Sequence, residues 1–182
     1  MNEPHAGRLV QAALGERYTA AVLRVVRGGR VCFERAYGTL DDAPAAAATE
    51  VTTRFDLASL TKPFVAHAAL EAVAEGALAL DRPLALELLP EWRGGAQAAV
   101  TARMLLAHNA GLASGADYRE LLGRDIVRFA LAQPLVAAPG EHALYSDLGF
   151  IVLGVALERA LGRTLAALVA ASCARLGCEA TG

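Results

Sequence analysis

Charge of one sign is missing from this 182-residue chain. Seventeen Lys and Arg stand against nineteen Asp and Glu, a net charge of −2, with no basic block, so a nucleic-acid partner is not expected. Long hydrophobic runs are missing too. Mean hydropathy is high at +0.37, yet the strongest apolar run, Leu148 to Leu157, is about half of the ~20 residues a spanning helix needs. No membrane segment is expected. Cysteine is scarce and odd in number: Cys32, Cys173 and Cys178 show neither a CxxC pair nor zinc-type spacing with histidine, which excludes a disulfide framework and predicts reduced, mostly buried thiols. The start, Met1-Asn2-Glu3-Pro4-His5, lacks a basic stretch followed by an apolar one, and with the cysteines this predicts a cytoplasmic location. Lysine is scarcest of all, since Lys62 is the one lysine in the chain.

What is present is apolar. Hydrophobic residues make up 55% and charged residues 20%, which excludes intrinsic disorder, and the length suits one domain. Residues 19 to 37 read as a β-hairpin, with apolar runs 20–26 and 31–37 flanking Gly28-Gly29, a pair suited to a tight turn with positive φ. Residues 38–50 read as a connecting loop. A helix is predicted from Ser59 to about Glu75, with Pro63 tolerated in its first turn and Gly76 as its stop. Further helices are predicted over 84–89, 101–108, 118–132, 147–161 and 164–176 on their apolar periodicity and on Thr101, Gly162, Thr164 and Gly177 as punctuation. No strand run follows residue 58, so the hairpin's sheet looks unfinished. The fold class is therefore α+β, an N-terminal hairpin of an antiparallel sheet plus a mainly helical region. It forms one domain over 1–182, with 19–58 belonging to the sheet and 59–177 carrying the helices.

Three patches could carry chemistry. Ser59-Leu60-Thr61-Lys62 places a hydroxyl and an ammonium three residues apart, hence on one helix face. With four serines and one lysine in the chain, that pairing arises by chance about 2% of the time. The bland alternative is a capping serine beside a solvated lysine. Tyr145-Ser146-Asp147 puts a phenol just ahead of a helix start and a carboxylate in its first turn; the alternative is a packed tyrosine and a capping aspartate. His108, in the patch 105–112, invites a general-base reading, but its place at a helix end before a glycine turn fits a structural hydrogen bond better. His5, His67 and His142 have no partners at metal spacing, and neither a metal nor a cofactor is expected.

Four passages, in order, make the chain resemble the serine beta-lactamase-related family, which includes class C beta-lactamases, esterases of the same fold and D-Ala-D-Ala carboxypeptidases. They are Arg54 to Lys62, with Ser59-Leu60-Thr61-Lys62 matching the first motif; Gly76 to Leu84 with Leu89-Pro90-Glu91; Val100 to Leu112; and Pro139-Gly140-Glu141 through Tyr145-Ser146-Asp147 to Phe150. The resemblance runs from about residue 20 to the last residue and implies the N-terminal half of a beta-lactamase/transpeptidase-like fold. It implies that Ser59 is the acylated nucleophile of a serine hydrolase, that Lys62 and Tyr145 activate it, and that Asp147 binds substrate. The substrate would be a small ester or amide. A serine hydroxyl needs an adjacent base. Either a lysine with a lowered pKa or a tyrosine phenolate kept by a charged Lys62 could serve, and the sequence leaves that choice open. The Ser59 backbone N–H would face the developing oxyanion.

Three departures accompany the resemblance. Ala110 stands where the family usually has serine, Asp147 replaces the asparagine of many beta-lactamases, and the third motif, Lys or His followed by Ser/Thr and Gly, does not occur. The resemblance thus predicts a truncated domain with a weakened oxyanion site and uncovered apolar surface prone to self-association. A non-catalytic remnant of such an enzyme is the competing expectation.

Overall fold

The computed structural model describes residues 4–178, and its contacts divide the chain into two compact units, Met1–Asp56 and Leu57–Gly182. The first unit opens with helix α1 (His5–Ala13), which the sequence reading missed. Its N-cap is Pro4, which makes no side-chain cap, so the usual start signal is lacking. Strands β1 (Ala20–Arg27) and β2 (Arg30–Gly38) follow as an antiparallel pair, the two strands of the sheet among the described residues. Gly28 and Gly29 take φ of +56° and +75°, the double positive φ that a two-residue turn matching strand twist requires. The register breaks between Val25 and Val26, leaving Cys32 in a one-residue bulge. The 38–50 connection turns back on the strands, with Thr39 bridged to Ala48.

The second unit is helical. A 3₁₀ turn, Ala58–Leu60, leads into α2 (Thr61–Ala74). Pro63 is the third residue of α2, within the turn whose N–H groups lack helical acceptors, so it costs little. Then come α3 (Ala102–Leu106), α4 (Ile126–Leu131), α5 (Asp147–Leu161) and α6 (Leu165–Arg175). Helix α5 is the axis of this unit and packs against α2, α3, α4 and α6. Its Leu148, Val152, Leu153, Ala156 and Leu157 are almost entirely buried, among Leu89, Val100, Leu105 and Leu112 from the surrounding segments. No helix among the described residues is long and apolar enough to cross a membrane.

Thr101, Thr164 and Gly162 cap as the sequence predicts, and the cap of α5 is Ser146 rather than the aspartate beside it. Thr101, Ser146 and Thr164 accept from the N–H groups of Met104, Gly149 and Ala167, and Gly162 ends α5 at φ +63°. Some expectations are corrected. The 118–132 helix shrinks to α4, because Gly123 sits at φ +76° and Asp125 caps a new start by accepting from the Arg128 N–H at 3.0 Å. Leu122, one of the apolar residues on which the periodicity of 118–132 rests, is 80% exposed. The 84–89 segment is a single 3₁₀ turn, Leu84–Leu86, and α3 is shorter than 101–108. The thiols are not mostly buried: Cys173 is buried, Cys178 half-buried and Cys32 exposed.

Candidate active site

The local chain path at residue 59 is unusual before any partner is considered. Ala58 holds φ +44°, a left-handed conformation that costs an alanine about 1 kcal/mol or more and persists only where neighbours enforce it. The strained residue sets Ser59 in an exposed 3₁₀ turn. Lys62, one turn on, lies on the same face and is largely sheltered, its side chain 15% exposed. Across from them stands the start of α5. Ser146 ties it down twice: its hydroxyl donates to the Ala113 carbonyl at 2.6 Å and accepts from the Gly149 N–H. The Asp147 N–H donates to the Ser114 carbonyl at 2.8 Å.

These two anchored ends bring all four predicted site residues together. The Tyr145 hydroxyl lies 2.6 Å from Ser59 Oγ. Lys62 Nζ lies 3.1 Å from the same Oγ and 2.6 Å from Asp147 Oδ1. The ammonium also sits 4.8 Å from the Tyr145 ring centroid and 5.7 Å from that of Phe150, within cation–π range.

The electrostatics divide the two activating groups. Burial is the largest single influence on Lys62 and acts to lower its pKa, but hydrogen bonds and charge from Asp147 and Tyr145 together outweigh it and hold the ammonium above its ordinary value. Tyr145 moves the other way: hydrogen bonds from Lys62 and Ser59 lower its phenol, against a smaller opposing effect of burial. The arrangement therefore keeps a proton on Lys62 and eases one off Tyr145.

His108 belongs to the frame. It takes φ +57°, its carbonyl accepts from the Leu144 N–H at 2.7 Å, and its Nδ1 accepts from the Ser146 N–H at 3.1 Å. The ring packs against Tyr145 and Phe150, centroids 4.6 and 5.1 Å away. Burial, then the Lys62 charge, lowers its pKa, and the Nδ1 that accepts from Ser146 leaves Nε2 to carry the ring proton. The turn after it needs Gly111: φ is +82°, and a Cβ there would meet the Ala137 carbonyl oxygen at 2.2 Å.

Two lining residues went unread in the sequence. Tyr118 and Phe150 border an open cleft of about 390 Å³ together with Ser59, Lys62, Asp147 and apolar side chains of α2, α5 and α6. Burial and the Asp147 charge raise the Tyr118 phenol. Its hydroxyl and Asp147 Oδ2 both lie beside Gly115, 3.4 and 3.8 Å from where a Cβ there would stand, which is ordinary contact distance. Nothing in the spacing ties residue 118 to residue 147. Phe150, three residues past Asp147, could have been found from helical periodicity alone.

A Ser–His–acid cluster joins α2 to α6 and is of another kind. Ser172 Oγ lies 3.1 Å from His67 Nδ1 and donates to Glu71 Oε2 at 2.8 Å, and Arg175 pairs with both Glu71 oxygens. Ser172 is fully buried, so no substrate reaches it. The Arg175 guanidinium, helped by Ser172 and opposed by burial, holds the Glu71 carboxyl at about 2. Among the described residues no group of three or more His, Cys, Asp or Glu side chains is placed to hold a metal ion.

Known proteins share this arrangement of chain. Esterase EstB of Burkholderia gladioli is 40% identical over 181 residues, covering 87% of this chain and 45% of EstB. The solved structure of EstCE1, described as a hydrolase with promiscuous acyltransferase activity, superposes with a TM-score of 0.74 at 27% identity over 92% of this chain and 49% of that one. A class C beta lactamase from Rhodobacter sphaeroides shares the fold, with a TM-score of 0.75 at 24% identity over 94% of this chain and 48% of that one. The chain spans less than half the length of each. A family model described as Beta-lactamase matches residues 7–182, and the chain belongs to the beta-lactamase family.

Proposed function

We propose that the chain carries the acylation site of a serine hydrolase that cleaves a small ester or amide through an acyl-enzyme. The single observation that carries this reading is the meeting of Tyr145 Oη and Lys62 Nζ on Ser59 Oγ at 2.6 and 3.1 Å. In this reading Tyr145, as phenolate, accepts the Ser59 proton while Oγ attacks the carbonyl carbon. The bond to the leaving alcohol or amine breaks, and Tyr145 returns the proton to that group. Water then attacks the acyl-enzyme and Ser59 regains its hydrogen. Lys62 stays charged throughout and favours the phenolate. Asp147 holds that charge in place and borders the cleft where it would meet the substrate. The Ser59 N–H, at the start of the helical segment, faces the developing oxyanion.

A fluorescent fluorophosphonate or penicillin tests the reading. Covalent labelling of the wild-type chain that disappears in Ser59→Ala supports it. The competing reading, a non-catalytic remnant with the same side chains, predicts no labelling even at high protein concentration. The location we propose is the cytoplasm, supported by the odd number and spacing of the cysteines, and cell fractionation checks it.

A further inference from the structure

We propose that His108 is an acid-operated latch on Tyr145, holding the phenol on Ser59 while Nδ1 carries no proton and releasing it on protonation; this rests on the serine-hydrolase reading above. The latch grips the chain on both sides of Tyr145. The His108 carbonyl accepts from the Leu144 N–H at 2.7 Å, and its Nδ1 accepts from the Ser146 N–H at 3.1 Å. Between these two bonds the imidazole lies against the Tyr145 ring, centroids 4.6 Å apart. A left-handed φ of +57° lets one residue offer both its carbonyl and its ring to the same segment. His108 touches neither Ser59 nor a substrate in this reading, so it is a positioning residue for the base.

Of the two bonds, one can titrate. An imidazole nitrogen accepts a hydrogen bond only while it holds no proton. Once Nδ1 is protonated, two N–H donors face each other across 3.1 Å, and the Ser146 N–H must turn away. The neighbouring ties use carbonyl oxygens, Leu144 on His108 and Gly140 on Asn109, each at 2.7 Å. They survive acid, so the release is local to Tyr145 and Ser146. Tyr145 Oη stands 2.6 Å from Ser59 Oγ, and a misplacement of about 1 Å can cost a reaction about 10²-fold. The surroundings set the pH at which this happens. Burial and the Lys62 ammonium of α2 oppose a second cation, outweighing the Asp147 carboxylate of α5 and the Ser146 backbone, so the ring titrates below its ordinary value. On the turn ahead of Leu144, Glu141 and His142 lie 3.9 Å from each other, and on α3 Arg103 pairs with Asp81. The latch is therefore closed at neutral pH and opens below about pH 6.5.

Fluorophosphonate labelling rates of the 182-residue chain between about pH 5 and 8.5 test this, with far-ultraviolet dichroism checking the fold at each pH. Ser59 Oγ bonds to phosphorus, the P–F bond breaks, fluoride leaves and the proton passes to Tyr145. His108→Asn is the decisive variant, because asparagine tolerates positive φ and its amide oxygen accepts a hydrogen bond without titrating. The ratio of wild-type to His108→Asn rates cancels the ionisation of Tyr145. It should be flat above about pH 7 and fall about tenfold per pH unit once the ring is protonated. His108→Gly, which suits the φ but lacks Nδ1, should label about tenfold slower than His108→Asn at about pH 8. A second readout needs no variant: the Ser146 amide proton of the wild type should move upfield on acidification, as a hydrogen bond is lost, with the same midpoint. Should His108→Asn fail to fold, that amide alone decides. A flat ratio at every pH, equal labelling of the Asn and Gly variants, or a Ser146 amide that does not move overturns this inference while leaving the hydrolase reading intact. Absence of wild-type labelling at every pH overturns both.

Discussion

Tyr145 and Asp147 make separable demands on the Ser59 hydroxyl. Replacing Tyr145 with Phe removes the 2.6 Å partner of Ser59 Oγ and should slow fluorophosphonate labelling by about 10²- to 10⁴-fold, the usual worth of a positioned base. The wild-type rate should rise with pH as the phenol, held below its ordinary value, loses its proton. It should fall only when Lys62, held above its own, loses its proton too. Asp147→Asn takes away the charge that supports the ammonium, so the alkaline limb of that profile should move to lower pH. A limb that stays in place would show that Asp147 does not act through Lys62. At this scale the sequence was informative for Ser59, Lys62, Tyr145 and Asp147, because short motifs tie each pair locally. It was silent on Tyr118, which reaches the cleft through a loop held by the bond from the Asp147 N–H to the Ser114 carbonyl.

At the scale of elements, punctuation was easier to read than extent. Thr101, Ser146 and Thr164 cap as their side chains dictate, and Gly76 and Gly162 stop their helices at positive φ. The 118–132 stretch is not one helix despite its apolar spacing, because Gly123 breaks it at positive φ and Asp125 caps a fresh start. Helix α1 was missed for want of a side-chain cap. Ser146→Ala deletes both the cap on α5 and the bond to Ala113, and should cost about 1–2 kcal/mol by urea unfolding. The link between α2 and α6 should depend on acidity. Glu71 is held at about 2, below its unfolded value, so its contribution is complete above about pH 4.5 and drains away as pH falls towards 2. Glu71→Gln should therefore lower the unfolding midpoint at pH 7 and flatten its decline between pH 4.5 and 2.5. Parallel pH curves for variant and wild type would show that the Glu71 clamp contributes nothing.

At the scale of the molecule, the helical unit is organised around α5, and its burial was foreseeable from the run Leu148 to Leu157. Leu153 is fully buried on that axis, and Leu153→Ala should cost about 3 kcal/mol by the transfer and cavity terms together, read as a drop in denaturation midpoint. What periodicity cannot convey is which helices meet. The hydrogen bond between Tyr145 and Ser59 joins positions 86 apart in sequence, and that closure is a product of core packing.

The ion pair of Lys62 and Asp147, 85 residues apart, ties the starts of α2 and α5 together, beside the Tyr145–Ser59 hydrogen bond and the packing of the two helices. A slackening of α5 by a single ångström would quench reactivity at Ser59 while every helix stayed wound. On gentle warming, labelling should fade before the far-ultraviolet dichroism does, making this hydroxyl an early gauge of how firmly the bundle is closed.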